Sequence, residues 1–249
     1  MKKLYVTGIG PGGMDDCTMR ADRALAESET VVGYTAYLDL VRGRFPDKEY
    51  ISTPMGGELA RVRKAFGSAA SGRTTCLICS GDAGVYGMAG PALFMADKYP
   101  DVSVEVIPGV TAATGAAAVL GAPLMNDFCV ISLSDDLTPW EVIEKRLRAA
   151  AAGDFAIALY NPRSRRRPRT LACAVKILKD SGVPEETPCG LAGRIGREGA
   201  WSRLTTLEEL ADDEQIDMFT TVVIGNSRTR VKDGRLITAR GYGGEEDGG

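Results

Sequence analysis

Residues 4–18 read LYVTGIGPGGMDDCT, an apolar run followed by glycines and then by polar residues. The run is typical of a buried β-strand, and Thr18 is the predicted N-cap of the helix that follows. Gly8, Gly10 and Gly13 have the spacing G-x-G-x-x-G, which allows a backbone to approach a ligand or a neighbouring segment closely. The stretch therefore predicts an α/β unit built around a glycine-rich strand-to-helix turn.

A nicotinamide dinucleotide is the first candidate ligand for that spacing. Its site needs the third glycine in the opening turn of the helix and an acidic residue near the end of the second strand. Pro11 stiffens the loop, MDDC separates the glycines from the helix, and the predicted second strand TVVGYTAYL ends in glycine and tyrosines. The dinucleotide interpretation is therefore disfavoured, and a tight structural turn is the alternative.

The composition, 249 residues with 44% hydrophobic and 25% charged, is ordinary for a globular protein. No apolar run reaches the roughly 20 residues of a membrane span. The first three residues lead straight into a strand-like segment without a cleavable signal. We therefore expect a cytoplasmic protein with no membrane partner. The net charge of −3 argues against nucleic acid as the main partner.

The chain contains no histidine, which excludes imidazole acid–base catalysis, histidine-dependent nucleophiles and histidine-bound metals. The six cysteines are scattered through apolar segments, and most are predicted to be reduced and buried. Cys76 and Cys79 form C-x-x-C, but their odd separation in a strand directs them to opposite faces of the sheet. We predict no metal site.

Runs rich in valine and isoleucine alternate with helical patterns, of which LTTLEELADD (204–213) is the last. This alternation predicts an α/β fold with mostly parallel strands. It is interrupted near Pro123 and then restarts, so two lobes are expected, residues 1–123 and 124–249. One continuous sheet is the alternative. The tail GGEEDGG (243–249) is predicted to fray.

Three further clusters of small residues follow predicted strands: SGDAGVYGMAG (80–90), IPGVTAATGAAA (107–118) and GLAGRIGREG (190–199). Ligands of open α/β sheets bind at the carboxyl ends of the strands, and small residues there let backbone groups approach a flat ligand. Several such loops indicate one extended cofactor that is held by backbone.

These clusters, with GIGPG (8–12) and LYNPRS (159–164), resemble the tetrapyrrole methylase family of S-adenosylmethionine-dependent enzymes. Four more segments are similar to the branch that methylates carbon 17 of precorrin-3B and contracts the ring. They are VVGYTAYLDLV (31–41), VISLSDDLTPWE (130–141), VVIGNSRT (222–229) and ITARGY (237–242). The resemblance covers nearly the whole chain.

The resemblance implies the two-lobed α/β fold of class III S-adenosylmethionine-dependent methyltransferases, with the cofactor in the cleft between the lobes, and a homodimer. It implies a tetrapyrrole substrate, precorrin-3B or cobalt-precorrin-3, and a place in cobalamin biosynthesis. The cofactor is S-adenosyl-L-methionine. Carried over motif by motif, the cofactor-binding residues are Pro11, Gly81, Asp82, Val85, Thr111, Ala112, Asn161, Leu191 and Ala192.

Methyl transfer needs no histidine, because the substrate carbon is the nucleophile and the protein chiefly aligns donor and acceptor. Ring contraction needs a proton donor or acceptor, for which Asp82, Tyr86 and Asp135 are the catalytic candidates, with Asp136 beside them. Asp135 and Asp136 are equally interpreted as loop acids, and Tyr86 as a packing residue.

A cluster of arginines precedes a predicted helix near Pro168. Its members are Arg163, Arg165, Arg166, Arg167 and Arg169. Arginine pairs well with carboxylates, which tetrapyrrole intermediates carry, so Arg163 is the predicted substrate contact, and Tyr34 is a candidate to flank the macrocycle. A solvated basic loop is the alternative.

Three rival functions remain at this stage. They are methylation of another corrin position, cofactor or tetrapyrrole binding without turnover, and nicotinamide-dependent redox chemistry.

Overall fold

The computed structural model describes residues 2–241, so the predicted tail 243–249 lies outside the described residues. The chain divides into two compact units, Met1–Ala112 and Ala113–Gly249. This division differs from the predicted boundary at residue 123. The segment between the two positions packs in the second unit, where Leu120 joins a small core with Ala192 and Val223.

The first unit alternates strands and helices. Its strands are β1 Lys2–Gly8, β2 Thr30–Tyr34, β3 Glu49–Thr53, β4 Thr75–Cys79 and β5 Val102–Ile107. Its helices are a short 3-10 turn at Met14–Asp16, α1 Met19–Glu27, α2 Thr35–Arg42, α3 Glu58–Ala70 and α4 Ala89–Ala96. The predicted cap is confirmed, because the Thr18 side chain accepts a hydrogen bond from the amide of Ala21 at 3.1 Å.

The five strands form one sheet in the order β3-β2-β4-β1-β5, and every pair in it is parallel. One face packs against α1 and α2, the other against α3 and α4. Cys76 belongs to the first of these cores and Cys79 to the second, so the prediction that they point to opposite faces is confirmed. The carboxyl ends of all five strands lie at one edge of this sheet.

The second unit begins with α5 Ala112–Leu120, which spans the division, and contains two sheets. Its strands are β6 Gly121–Ala122, β7 Phe128–Ser132, β8 Ala156–Tyr160, β9 Pro188–Gly193, β10 Trp201–Thr206, β11 Thr220–Ile224, β12 Thr229–Lys232 and β13 Arg235–Thr238. Its remaining helices are α6 Trp140–Ala152 and α7 Thr170–Asp180. Near the C-terminus, β12 and β13 pair as an antiparallel hairpin.

The larger sheet has the order β10-β9-β11-β8-β7, and only β7 and β8 pair in parallel. The prediction of mostly parallel strands is therefore wrong for this unit. The segment LTTLEELADD is not a helix: it is the end of β10 followed by turns. Because β9 and β10 are joined by the short loop 194–200, β10 returns antiparallel to β9 instead of crossing over through a helix.

A buried chain of hydroxyl groups holds the VVIGNSRT segment in place. The Thr229 hydroxyl lies 2.8 Å from that of Thr238, which donates to the carbonyl of Pro123 at 2.7 Å. The amide of Asn226 donates to the Thr229 hydroxyl at 2.8 Å, and its side chain donates to the carbonyl of Asp154 at 2.9 Å. These residues therefore stabilise the second unit. Within residues 2–241, no helix is long and apolar enough to span a membrane.

Candidate functional site

Three glycine-rich loops meet at the carboxyl edge of the first sheet. Strands β1, β4 and β5 end in register, since Gly8 pairs with Cys79 and Thr7 with Ile107. Immediately beyond the strands, Gly10 and Gly81 exchange backbone hydrogen bonds of 3.1 and 2.7 Å. The loops after β1 and β4 are thus joined by their backbones.

The contact excludes side chains. A Cβ atom at Gly8 would lie 2.5 Å from the carbonyl oxygen of Gly81 and 2.8 Å from the Cα of Asp82. A Cβ at Gly109, after β5, would lie 2.7 Å from the carbonyl carbon of Gly8 and closer still to the Gly81 oxygen. Only glycine fits at these positions, because real Cβ atoms do not approach backbone so closely.

Asp82 fastens the loop after β4 to the loop after β5. Its Oδ1 accepts hydrogen bonds from the amides of Gly84 at 2.7 Å and Val85 at 3.2 Å. Its Oδ2 accepts from the amide of Gly109 at 2.8 Å. Both oxygens are therefore engaged by backbone, an arrangement that favours a positioning role over proton transfer.

Five of the predicted cofactor residues lie in these loops, and the sixth, Ala112, is the first residue of α5, directly after the third loop. The five are Pro11, Gly81, Asp82, Val85 and Thr111. Pro11 is buried. Gly81 lies close to the start of α5, since a Cβ atom built on Gly81 would be 3.7 Å from the amide nitrogen of Ala112. Tyr86 has a φ of 53° and is 54% exposed, so its side chain is not part of the core. The fold brings the six residues to one edge of one sheet.

The geometry of the first loop does not match a dinucleotide fingerprint. Gly10 has a φ of 82°, but Gly13 lies at −72°, where any residue is accommodated. The helix α1 starts at Met19, six positions after Gly13, and the 3-10 turn Met14–Asp16 lies between them. Tyr34 ends β2 at the same edge, with its ring edge-on to Tyr37 at 5.2 Å between centroids.

In the second unit, LYNP (159–162) comprises the last two residues of β8 and the two residues that follow it. Asn161 has a φ of 54°, and its side-chain amide donates to the hydroxyl of Ser132 at 2.9 Å. The Tyr160 hydroxyl accepts from the amide of Ala113, in the first turn of α5, at 2.6 Å. Sequence reasoning missed Tyr160, although an aromatic residue at a strand end beside a left-handed asparagine was the available signal.

Leu191 and Ala192 lie inside β9, with β10 on one side and β11 on the other. Both side chains are fully buried, each in a different core cluster. Arg194 follows the strand with a φ of 51° and forms an ion pair with Asp217 at 4.0 Å. The cofactor role of Leu191 and Ala192 stays a prediction.

The arginine cluster separates into two groups. Arg163 donates to the carbonyls of Asp213 at 2.9 Å and Ala211 at 3.2 Å, and Arg167 bonds to the hydroxyl of Ser134 at 2.6 Å. Arg167 also forms ion pairs with both acids of the SDD segment, Asp135 at 3.2 Å and Asp136 at 3.0 Å. Within residues 2–241, the other three arginines are exposed and have no polar partner: Arg165, Arg166 and Arg169.

The buried thiols are poor nucleophiles and poor ligands. Burial raises the pKa of Cys76 to about 12 and that of Cys79 to about 11, so both stay protonated at neutral pH. Among residues 2–241, no group of three or more cysteine, aspartate or glutamate side chains is arranged to hold a metal ion.

Arg61 is a charged residue that the sequence analysis did not single out. It lies in the first turn of α3, is only 5% exposed, and reaches the carboxyl edge at Thr53. The available signal was its position on the buried stripe of that helix, four residues before Ala65 and eight before Ala69.

Comparison with known proteins gives consistent matches. The sequence profile of the family Tetrapyrrole (Corrin/Porphyrin) Methylases matches residues 3–211. A Salmonella typhimurium protein described as a probable cobalt-factor III C(17)-methyltransferase is 50% identical over 240 residues, 96% of this chain and 99% of that protein. A Sinorhizobium protein described as precorrin-3B C(17)-methyltransferase is 41% identical over 250 residues, 97% of each. The crystal structure of the methyltransferase CobJ has a TM-score of 0.86 at 36% identity, covering 95% of this chain and 99% of that one.

The glycine contact yields a direct test. Gly109→Ala forces a methyl group into the Gly81 and Gly8 backbones, so we expect the free energy of unfolding to fall by about 1–3 kcal/mol, measured by urea denaturation. The matched control is Gly67→Ala in α3, where a Cβ has no neighbour within 4 Å and a stabilisation of up to about 1 kcal/mol is expected. Equal unfolding midpoints for Gly109→Ala and the wild type would contradict the packing argument.

Proposed function

The chain belongs to the tetrapyrrole (corrin/porphyrin) methylase family, and we propose that it transfers a methyl group from S-adenosylmethionine to carbon 17 of a ring-contracting tetrapyrrole in cobalamin biosynthesis. The observation that carries the proposal is the 50% identity, over nearly the full length of both chains, to the Salmonella protein described as a probable cobalt-factor III C(17)-methyltransferase. The predicted fold class and family are confirmed by the similarity to CobJ and by the family profile.

The loops of the first unit fit an extended cofactor. Their backbones are brought together by glycines at which a side chain would collide with the neighbouring loop, as at Gly8 and Gly109. We assign the cofactor to Pro11, Gly81, Val85, Thr111 and Ala112 in this unit. The cofactor role of Asn161 stays a prediction. S-adenosylmethionine, when bound, supplies an electrophilic methyl group.

The protein's own groups then have a positioning task. Asp82 holds two loops through three backbone amides, which fixes the cradle without consuming or supplying a proton. The absence of histidine from the sequence is compatible with this chemistry, because an electron-rich substrate carbon needs alignment and exclusion of water more than a base. For the ring contraction, Tyr86 and Asp135 stay candidate proton carriers.

The substrate that we favour already carries cobalt. The Salmonella relative, at 50% identity, is named for cobalt-factor III, and the Sinorhizobium relative, at 41% identity, is named for precorrin-3B. The metal would then arrive with the substrate. Methylation at another corrin position is the alternative, and locating the new methyl group on the product by NMR distinguishes the two. The cytoplasmic location stays a prediction.

The first prediction concerns the cofactor. Calorimetric titration with S-adenosylhomocysteine is expected to give a dissociation constant in the micromolar range, while NADH, titrated in parallel, gives no heat of binding. Incubation with S-adenosylmethionine and cobalt-factor III should then add one methyl group, detected by mass spectrometry. Binding without methylation of any tetrapyrrole would favour a non-catalytic binding protein, and binding of NADH alone would favour the dinucleotide interpretation.

A second prediction concerns substrate carboxylates. We propose that the exposed Arg165 and Arg166 bind them, because the guanidinium of Arg163 already donates to two backbone carbonyls. The double variant Arg165→Ala/Arg166→Ala should weaken binding of uroporphyrin III, used as a carboxylate-bearing probe, by about tenfold, without changing S-adenosylhomocysteine affinity or Tm.

Arg163→Ala is the informative comparison for that experiment. We expect it to lower the Tm, because the carbonyls of Ala211 and Asp213 lose their donors. A selective loss of uroporphyrin III binding in Arg163→Ala, at unchanged Tm, would instead support the original assignment of Arg163 as the substrate contact.

We also propose a homodimer. The resemblance implies one, and α4 presents Leu93 and Phe94 to solvent, with Phe94 89% exposed. Large exposed apolar side chains side by side are typical of interaction surfaces. Phe94→Glu is therefore expected to convert a dimer to a monomer in light scattering, whereas Val231→Glu on β12, where the valine is 53% exposed, should leave the mass unchanged. A wild-type monomer would refute the proposal.

A further inference from the structure

A buried positive charge lies at the carboxyl edge of the first sheet without a negative partner. Arg61 is 5% exposed, and within residues 2–241 no carboxylate approaches its guanidinium closely enough to form an ion pair. A buried charge is costly unless it is paired. Its position in the first turn of α3 adds to the cost, because the N-terminal end of a helix is itself positive.

The existing contacts of Arg61 do not explain the charge. Its Nε donates to the Thr53 hydroxyl at 2.6 Å and its Nη2 to the Pro54 carbonyl at 2.9 Å, and both acceptors are neutral. Its Nη1 meets only the thioether of Met88, at 3.9 Å, which is a weak acceptor. One terminal nitrogen of the guanidinium therefore lacks a strong acceptor.

That nitrogen faces the loop that carries Asp82. Met88 ends the loop, and its amide donates to the thiol of Cys79, the last residue of β4, at 3.3 Å. The guanidinium therefore lies beside the glycine loops and not at the far end of the sheet. The Met88 side chain is half-buried and unbranched, so it is able to move aside for a stronger acceptor.

We propose that Arg61 binds a carboxylate of a ligand, which displaces the Met88 thioether from Nη1 and supplies the missing negative charge. Two ligands of the proposed reaction carry this group, the amino-acid end of the methyl donor and the acidic side chains of the tetrapyrrole. The inference rests on the proposed function, since it is the function that brings either carboxylate to this edge. A guanidinium with a free N–H edge is the side chain best suited to such an anion.

The test compares Arg61→Met with the wild type, using three probes. They are S-adenosylhomocysteine, 5′-methylthioadenosine, which lacks the amino-acid carboxylate, and uroporphyrin III. If the methyl donor supplies the anion, the variant should bind S-adenosylhomocysteine at least about tenfold more weakly and methylthioadenosine unchanged. If the tetrapyrrole supplies it, uroporphyrin III binding should fall by the same factor while S-adenosylhomocysteine affinity is retained.

Two further variants keep the test decisive. Arg63→Met removes the same charge from an exposed position of α3 and should change none of the three affinities. Arg61→Lys keeps the positive charge but loses the planar set of guanidinium N–H donors, so it should lose less affinity than Arg61→Met. If the Arg61→Met protein does not fold, Arg61→Lys takes its place in the comparison. Unchanged affinities in folded Arg61 variants, or equal losses in Arg63→Met, would overturn the inference. A wild type that binds no S-adenosylhomocysteine would refute the proposed function itself.

Discussion

The close contact of three backbones at Gly8, Gly81 and Gly109 is the constraint on which the candidate site depends. Each loop follows a parallel strand, and without side chains at these positions the loops lie against one another directly. Asp82 adds one hydrogen bond between the second loop and the third, donated by the amide of Gly109. The site is thus positioned by the sheet register, because a shift of one strand would separate the glycines.

This construction also explains why the glycine spacing in residues 4–18 was ambiguous from sequence. Gly8 is needed for contact with another loop and Gly10 for a left-handed turn, whereas Gly13 has an ordinary conformation. In a dinucleotide-binding site, glycines with the same spacing allow the backbone to approach the pyrophosphate and the helix to pack closely on the sheet. The spacing alone does not distinguish these uses. Gly8 and Gly10 both contact Gly81, which lies more than 70 residues further along the chain.

The first unit was predictable from sequence and the second only in part, for one physical reason. Buried strands read as continuous apolar runs whether their neighbours are parallel or antiparallel. In the first unit each run is followed by a helix, which forces a parallel crossover. In the second, β9 and β10 are joined by a short loop, and Leu207 and Leu210 fill the core from turns that resemble a helix in sequence.

The same distinction between local and distant partners separates the site residues that sequence identified from those it did not. The glycine loops were recognisable because the requirement for a small residue is visible at the position itself. The tasks of Arg163, Tyr160 and Arg61 depend on acceptors and donors 50, 47 and 8 residues away, which no local pattern records. The charge of an arginine therefore indicates a ligand only when its partners in the fold are known. Arg167 forms ion pairs with Asp135 and Asp136 and needs no further anion. Arg61 is buried and contacts only neutral acceptors. The hydrogen bonds of Arg61 to Thr53 and Pro54 account for two of its nitrogens but not for its buried positive charge, and that charge is the reason to look for an anionic ligand at this edge.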